Sequence, residues 1–138
     1  MAFKIESLTD ENRWDYVELF ILHKILQTKG TTAKKLIAVD DNGNVCGLMS
    51  YRLNSRGVKR INTIVFDKGK GVGTSMVRHL CRMYPDLPQY SINVPRAHGW
   101  VKRMGVNPGK VFEDGKQEFY WSAEEVANFG RNEVKQGG

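Results

Sequence analysis

The sequence predicts a mixed α/β fold: a mostly antiparallel sheet flanked by helices, with one parallel crossover. Three observations carry this reading. Apolar segments separated by tight turns fill residues 36–66. Segments with helical spacing stand before and after them. A glycine-rich turn at residues 68–73 then joins a strand to a helix. The 138 residues fit one domain, 1–138, with 131–138 a frayed tail that has little to bury.

Residues 2–6 read as a short first strand. A helix is expected to begin after Thr9 or Asp10, whose side-chain oxygens can cap unpaired backbone N–H groups, and to stop at Gly30. Within it Trp14, Val17, Ile21 and Ile25 recur at steps of three and four, which makes one buried face. Residues 36–40 and 45–53 are two strands joined by Asp41-Asn42-Gly43-Asn44, a hairpin turn because Asn and Gly tolerate positive φ. A second turn at Arg56-Gly57 leads into a third strand, residues 58–66.

The period changes at Gly69. Val72, Met76, Leu80 and Met83 recur at helical steps, and Pro85 and Pro88 end that helix. Residues 90–94 form a strand, Pro95 opens a helix that carries Ala97 to Met104, and residues 105–109 form a loop. Residues 110–113 and 116–121 flank Asp114-Gly115, a two-residue hairpin signal. Ser122-Ala-Glu-Glu125 is a capping box, so a last helix runs to Asn128 or Phe129. The strand–helix–strand from 58 to 94 requires a parallel crossover within a mixed sheet.

Composition narrows the function classes. A hydrophobic fraction of 41% with 26% charged residues is that of an ordinary globular protein, and no apolar run is long enough to span a membrane. The N-terminus enters charged and polar residues directly, which is not the pattern of a secretory signal. Cys46 and Cys81 have neither metal-ligand spacing nor a disulfide framework, and no metal is expected. Each reads as a buried thiol of a reducing compartment, so the chain is expected in the cytoplasm. The net charge of +6 favours a phosphate-bearing partner. The basic residues are scattered in short clusters without an arginine-rich arm, which speaks against nucleic acid.

The turn Lys68-Gly-Lys-Gly-Val-Gly73 is where phosphate chemistry is legible. Helix N-termini present unpaired N–H groups and the positive end of the macrodipole. Glycines at 69, 71 and 73 leave out side chains that would keep a pyrophosphate from the backbone, and Lys68 and Lys70 add positive charge. A tight turn with surface lysines accounts for the same residues without a ligand. It is not a P-loop, since no Gly-Lys-Ser/Thr closes it. It is not a dinucleotide fingerprint either, because Thr74 follows Gly71 at the third position.

The turn resembles the acyl-coenzyme A signature of the GNAT family of N-acetyltransferases, Gln/Arg-x-x-Gly-x-Gly/Ala. Lys68 stands at the Gln/Arg position, Gly71 at the first glycine and Gly73 at the last. The order of elements is similar to that family's over nearly the whole chain. The resemblance implies an acetyl-CoA site in which the turn, Lys68, Gly69, Lys70, Gly71, Val72, Gly73 and Thr74, holds the pyrophosphate through backbone N–H groups. It implies that Ile64, Val65 and Phe66 of the preceding strand lend backbone groups to the pantetheine arm. It also implies direct transfer of an acetyl group to an amine. The family often carries Asn-x-x-Ala-x-x-x-Tyr in the next helix. Ala97 fits that frame, but Val94 and Val101 replace the asparagine and the tyrosine that protonates the leaving thiolate.

Candidate proton carriers are therefore sought elsewhere. Asp67 precedes the turn, where a partnership with Lys68 or Lys70 is the alternative to catalysis. His98 falls near the start of the helix expected to line the cofactor and can relay a proton near neutral pH, although a surface histidine at a helix start has the same pattern. Asn93 shares a strand face with Ser91 and can stand beside the cofactor. Asn62 and Thr63 lie on the strand before the turn, while His23 and His79 sit among charged residues and read as solvated. Three function classes follow. The first is an N-acetyltransferase acting on an amine of a small molecule or protein. The second is a catalytically weak protein of that fold which binds acyl-CoA or a protein partner. The third is a nucleic-acid-binding module, supported by charge alone. A monomer or weak homodimer is expected.

Overall fold

In a computed structural model, residues 3–9, 11, 33–66 and 69–131 are described. The helix expected up to Gly30, together with Asp67, Lys68 and residues 132–138, lies outside the described residues. The elements are β1 (Phe3–Ser7), β2 (Lys34–Asp40), β3 (Val45–Asn54), β4 (Gly57–Val65), α1 (Val72–Met83), β5 (Gln89–Asn93), a 3-10 turn (Pro95–Ala97), α2 (His98–Arg103), β6 (Asn107–Val111), β7 (Gln117–Trp121) and α3 (Ala123–Arg131). The seven strands are ordered β1-β2-β3-β4-β5-β7-β6, a mixed sheet flanked by helices, with β4 and β5 parallel. The chain divides into two compact units, Met1–Arg52 with Ile61–Met76, and Leu53–Arg60 with Val77–Gly138.

In the first unit β1 pairs antiparallel with β2 from Phe3↔Asp40 to Ser7↔Leu36, and β2 pairs with β3. The hairpin between β2 and β3 closes as its residues predict. Asp40 Oδ1 accepts the N–H groups of Asn42 and Asn44, each at 2.9 Å, and Gly43 takes φ +82°. The register slips between Ala38↔Gly47 and Val39↔Val45, which leaves Cys46 as the extra residue of a bulge. Its buried thiol donates to Ala38 O at 3.4 Å. Ile37, Val39 and Leu48 form a core cluster against which Leu8, Val45 and Ile64 pack.

In the second unit Val58–Arg60 of β4 runs parallel to Gln89–Ser91 of β5. Gly57 starts β4 at φ +117°, and a Cβ there would lie 2.3 Å from Pro88 O, so a side chain is excluded twice over. β5 pairs with β7 from Gln89↔Trp121 to Asn93↔Gln117. The capping box forms as expected: Glu125 N–H donates to Ser122 Oγ at 3.2 Å and Ser122 N–H to Glu125 Oε1 at 2.9 Å. Arg78 and Arg82 of α1 donate through Nε to the carbonyls of Phe129 and Gly130, so two cations meet the negative end of α3.

The residues read as a loop at 105–109 are corrected by the structure, because β6 begins at Asn107. Pro108 and Gly109 look like strand breakers, but β6 is an edge strand whose register shifts between Pro108 and Val111. Gly109 lies so near β7 that a Cβ would stand 3.1 Å from Glu118 O. The helix expected from Pro95 splits into the 3-10 turn and α2, and α3 extends to Arg131. His79 is half-buried rather than solvated. Desolvation first, and Arg82 second, hold its pKa below the ordinary histidine value.

Candidate functional site

The glycine-rich turn enters α1 as the sequence predicts. Gly69 and Gly71 adopt φ +85° and +76°, and among the described residues, the chain neighbours aside, no heavy atom lies within 4 Å of a Cβ placed on either. Such left-handed conformations cost an L side chain about 1–2 kcal/mol. Gly71 closes the cap: its carbonyl accepts Ser75 N–H at 2.9 Å, so the amides of Val72, Gly73 and Thr74 lie ahead of the helical ladder. The first turn of α1 holds no acidic side chain that would compete with an anion at the positive end of the dipole. Lys70 is exposed beside it. Gly73 differs from the other two glycines, since it is buried at the second position of α1.

The surroundings change where β4 ends at Val65. Ile64 packs into the Ile37–Val39–Leu48 cluster, while the Phe66 side chain is 41% exposed. Phe66 N–H donates to Cys46 O at 2.9 Å, so its backbone faces β3. By strand alternation the backbone groups of Val65 face the other way. Asn62 is exposed and Thr63 half-buried.

At the end of β5 the structure brings Asn93 and His98 together. His98 Nε2 lies 2.9 Å from Asn93 O, and a carbonyl can only accept, so Nε2 carries the proton. The His98 ring meets the buried Phe119 edge-on at 5.2 Å between centroids. The Asn93 side chain accepts from Ser91 Oγ at 2.6 Å, and Ser91 Oγ in turn accepts from Arg60 Nη2 at 3.3 Å. No motif in the sequence marks Arg60. It is 4% exposed, and burial pulls its pKa down to about 10. Its signal in the sequence is a cation within a strand, which becomes informative once the Arg60↔Ser91 register is known.

Other candidates fall outside a site. Val101, at the position where the resemblance expects a tyrosine, is fully buried in α2. The Tyr90 hydroxyl accepts from Asn54 Nδ2 at 2.7 Å. Burial pushes the Cys81 thiol up to about 11, so little thiolate exists near neutral pH.

No protein-family model matches the chain, and no curated protein sequence does. Solved structures do. AtaTR bound with AcCoA is 16% identical, with a TM-score of 0.69 over 90% of this chain and 95% of that one. A GNAT-family acetyltransferase from Bacillus cereus is 13% identical, with a TM-score of 0.66 over 88% and 98%. A variant of the spermidine N-acetyltransferase SpeG from Vibrio cholerae is 13% identical, with a TM-score of 0.62 over 90% and 95%. The chain therefore has the fold of the GNAT acetyltransferases. No helix among the described residues is long and apolar enough to cross a membrane.

Proposed function

We propose that this chain is an acetyl-CoA-dependent N-acetyltransferase. The carrying observation is the glycine turn: in a GNAT fold, backbone amides open α1 at a position that no described side chain obstructs, with no acidic residue in the first turn. That donor set fits a pyrophosphate. The amides of Gly71, Val72, Gly73 and Thr74 hold it, with Gly69 shaping the turn and Lys68 and Lys70 adding attraction. Val65 is the residue of the Ile64–Phe66 segment whose backbone suits the pantetheine arm, because Phe66 N–H is already bonded to Cys46 O. Bound acetyl-CoA supplies the thioester: the amine nitrogen bonds the acetyl carbon, the C–S bond breaks, and the amine loses a proton while the thiol gains one.

The chain's contribution is mainly positioning. His98 can accept a proton at Nδ1, since Nε2–H is engaged with Asn93 O. Asp67 is a second candidate carrier and Asn93 a polar contact. The acceptor is an amine of a small molecule or protein, and a cytoplasmic monomer or weak homodimer fits the composition.

A second reading has its own observation. Val101 is buried where the resemblance expects an acid, which favours a weakly active protein that binds acyl-CoA or a partner. Thermal melting tests the shared site, since acetyl-CoA at a hundred times its Kd adds about 2.7 kcal/mol. Thiol release over a panel of amines then separates enzyme from binder. No melting shift with acetyl-CoA overturns the acetyltransferase reading and leaves only the partner-binding form of the second.

A further inference from the structure

Among the described residues β1 is an edge strand: it pairs with β2 on one side, and no strand lies on the other. One bond fixes the direction of its backbone groups. Leu8 N–H donates to Lys35 O at 2.9 Å, its direct opposite when the β1–β2 register is carried one residue further. Antiparallel backbone alternates, so Leu8, Glu6 and Lys4 turn their N–H and C=O groups to β2, while Ile5 and Phe3 turn theirs to the outer edge. An edge of that kind is a template for another strand.

The side chains decide which strand. Lys4 and Glu6 are two residues apart, so they share one face of the sheet. Lys4 is exposed and Glu6 half-buried, and both line an open hollow of about 530 Å³ that leaves room for a partner's side chains. A lone lysine on an edge strand hinders pairing. A lysine and a glutamate two apart select a register instead. When a second β1 is laid antiparallel with Ile5 opposite Ile5, Lys4 of each copy stands opposite Glu6 of the other. These are non-hydrogen-bonded pairs, in which side chains approach most closely. A slip of two residues in one direction sets Lys4 against Lys4, and a slip in the other sets Glu6 against Glu6. Like charges directly opposite destabilise a ladder. Attraction therefore favours one register while repulsion opposes its neighbours.

We propose that β1 is a homodimer interface, in which two copies of the chain pair antiparallel about Ile5 with reciprocal Lys4–Glu6 contacts. A two-fold axis passes through Ile5, as an interface between identical surfaces requires. The argument uses residues of the first unit alone and is independent of the acetyltransferase reading. A strand of five residues buries little area, so the dimer is weak and concentration-dependent.

Sedimentation equilibrium of the full chain over a concentration series tests this. The parent should show a monomer–dimer equilibrium whose affinity falls as salt is raised. Lys4→Glu and Glu6→Lys each turn both contacts into like-charge contacts, and each should weaken association about tenfold or more. The double exchange, Lys4→Glu with Glu6→Lys, should dimerise within about threefold of the parent. The two single variants, mixed, should associate with each other although neither does so alone. A parent chain that is monomeric at every concentration overturns the proposal, and so does a dimer indifferent to salt and to both single exchanges. A dimer lost in the single variants and regained neither in the double exchange nor in the mixture overturns the assigned register.

Discussion

Gly47 of β3 faces the first turn of α1 so closely that a Cβ on it would stand 2.8 Å from both Met76 Cε and Val72 Cγ1. Met76 can swing its thioether aside, but the β-branched Val72 has little rotamer freedom in a helix. Bare backbone at Gly47 therefore lets the glycine turn sit down on the strand. Gly47→Ala should destabilise the fold by about 1–3 kcal/mol, the usual cost of overpacking, and should also weaken acetyl-CoA binding because α1 shifts at its N-terminus. Adding Val72→Ala should recover part of both losses in a double-mutant cycle; purely additive effects would show that the two residues do not press on each other.

The glycine turn itself allows strain and charge to be separated. Gly71 has positive φ and no described atom near its Cβ position, so Gly71→Ala adds about 1–2 kcal/mol of backbone strain without a clash against the described residues. Gly71→Asp adds similar strain plus a carboxylate where phosphate is proposed to bind. Calorimetry should find acetyl-CoA binding weakened in the first variant and abolished in the second. Equal affinities for the two would remove charge from the argument. Gly73 is a poorer probe, because an Asp at that buried position would disturb packing as well.

Replacing Lys68 and Lys70 together by Ala should lower acetyl-CoA affinity severalfold at low ionic strength, with the difference shrinking toward 0.5 M salt. Charges at an exposed turn act through screened attraction, whose range is about 10 Å at 0.1 M. A salt series in which the double variant tracks the parent chain would assign both lysines to the solvated surface.

What the sequence made legible was contiguous. The Asp41–Asn44 turn, the Val72–Met76–Leu80–Met83 face of α1, the Ser122–Glu125 box and the glycine turn each declare themselves within a dozen residues, where local sterics and capping decide the outcome. What escaped it depends on pairing. Pro108 and Gly109 read as loop residues because their tolerance comes from an edge position and a register shift. The Arg60–Ser91 contact joins residues 31 apart through a parallel register of three pairs, which no local pattern encodes. Gly73 belongs to the same run as Gly69 and Gly71, yet helix geometry buries it.

Glu125 gives α3 a pH-dependent anchor. Its carboxylate accepts from Ser122 N–H at 2.9 Å and from Asn107 Nδ2 at 2.8 Å, joining the helix start to β6. The Ser122 N–H first, and then the Asn107 amide, hold its pKa below the ordinary glutamate value. A carboxyl depressed in the folded state contributes stability above its unfolded pKa of about 4.3, and that contribution is lost as pH falls through the folded value. Glu125→Gln should therefore lower the melting temperature at pH 7 and converge with the parent chain only as pH falls through the depressed folded value, below the ordinary glutamate range. Parallel melting curves across that range would show that the charge is not what holds the cap. Ser122→Ala, which removes the other half of the box, should cost about 1 kcal/mol.

His98 is the side chain for which structure and catalysis make different forecasts. Its Nε2–H donates to Asn93 O and its ring lies edge-on to Phe119, a fully buried residue of β7. The first contact holds α2 to the end of β5 and the second holds it to β7, and their loss should destabilise the fold by about 1–2 kcal/mol. Catalytically, Nδ1 is the nitrogen left to accept a proton, and removal of one relay typically costs about 10²–10⁴-fold. Positioning an amine against a thioester is worth far more, about 7–11 kcal/mol, and a water can carry the proton instead. We therefore expect His98→Ala to lower the melting temperature clearly and kcat by about tenfold at saturating acetyl-CoA. His98→Gln offers a discriminating control, since its amide can still donate to Asn93 O but cannot serve as a base at any accessible pH. It should recover most of the lost stability and most of kcat. If stability returns while kcat stays several thousandfold down and the pH–rate profile loses its limb near neutrality, His98 is the general base and its packing role is secondary.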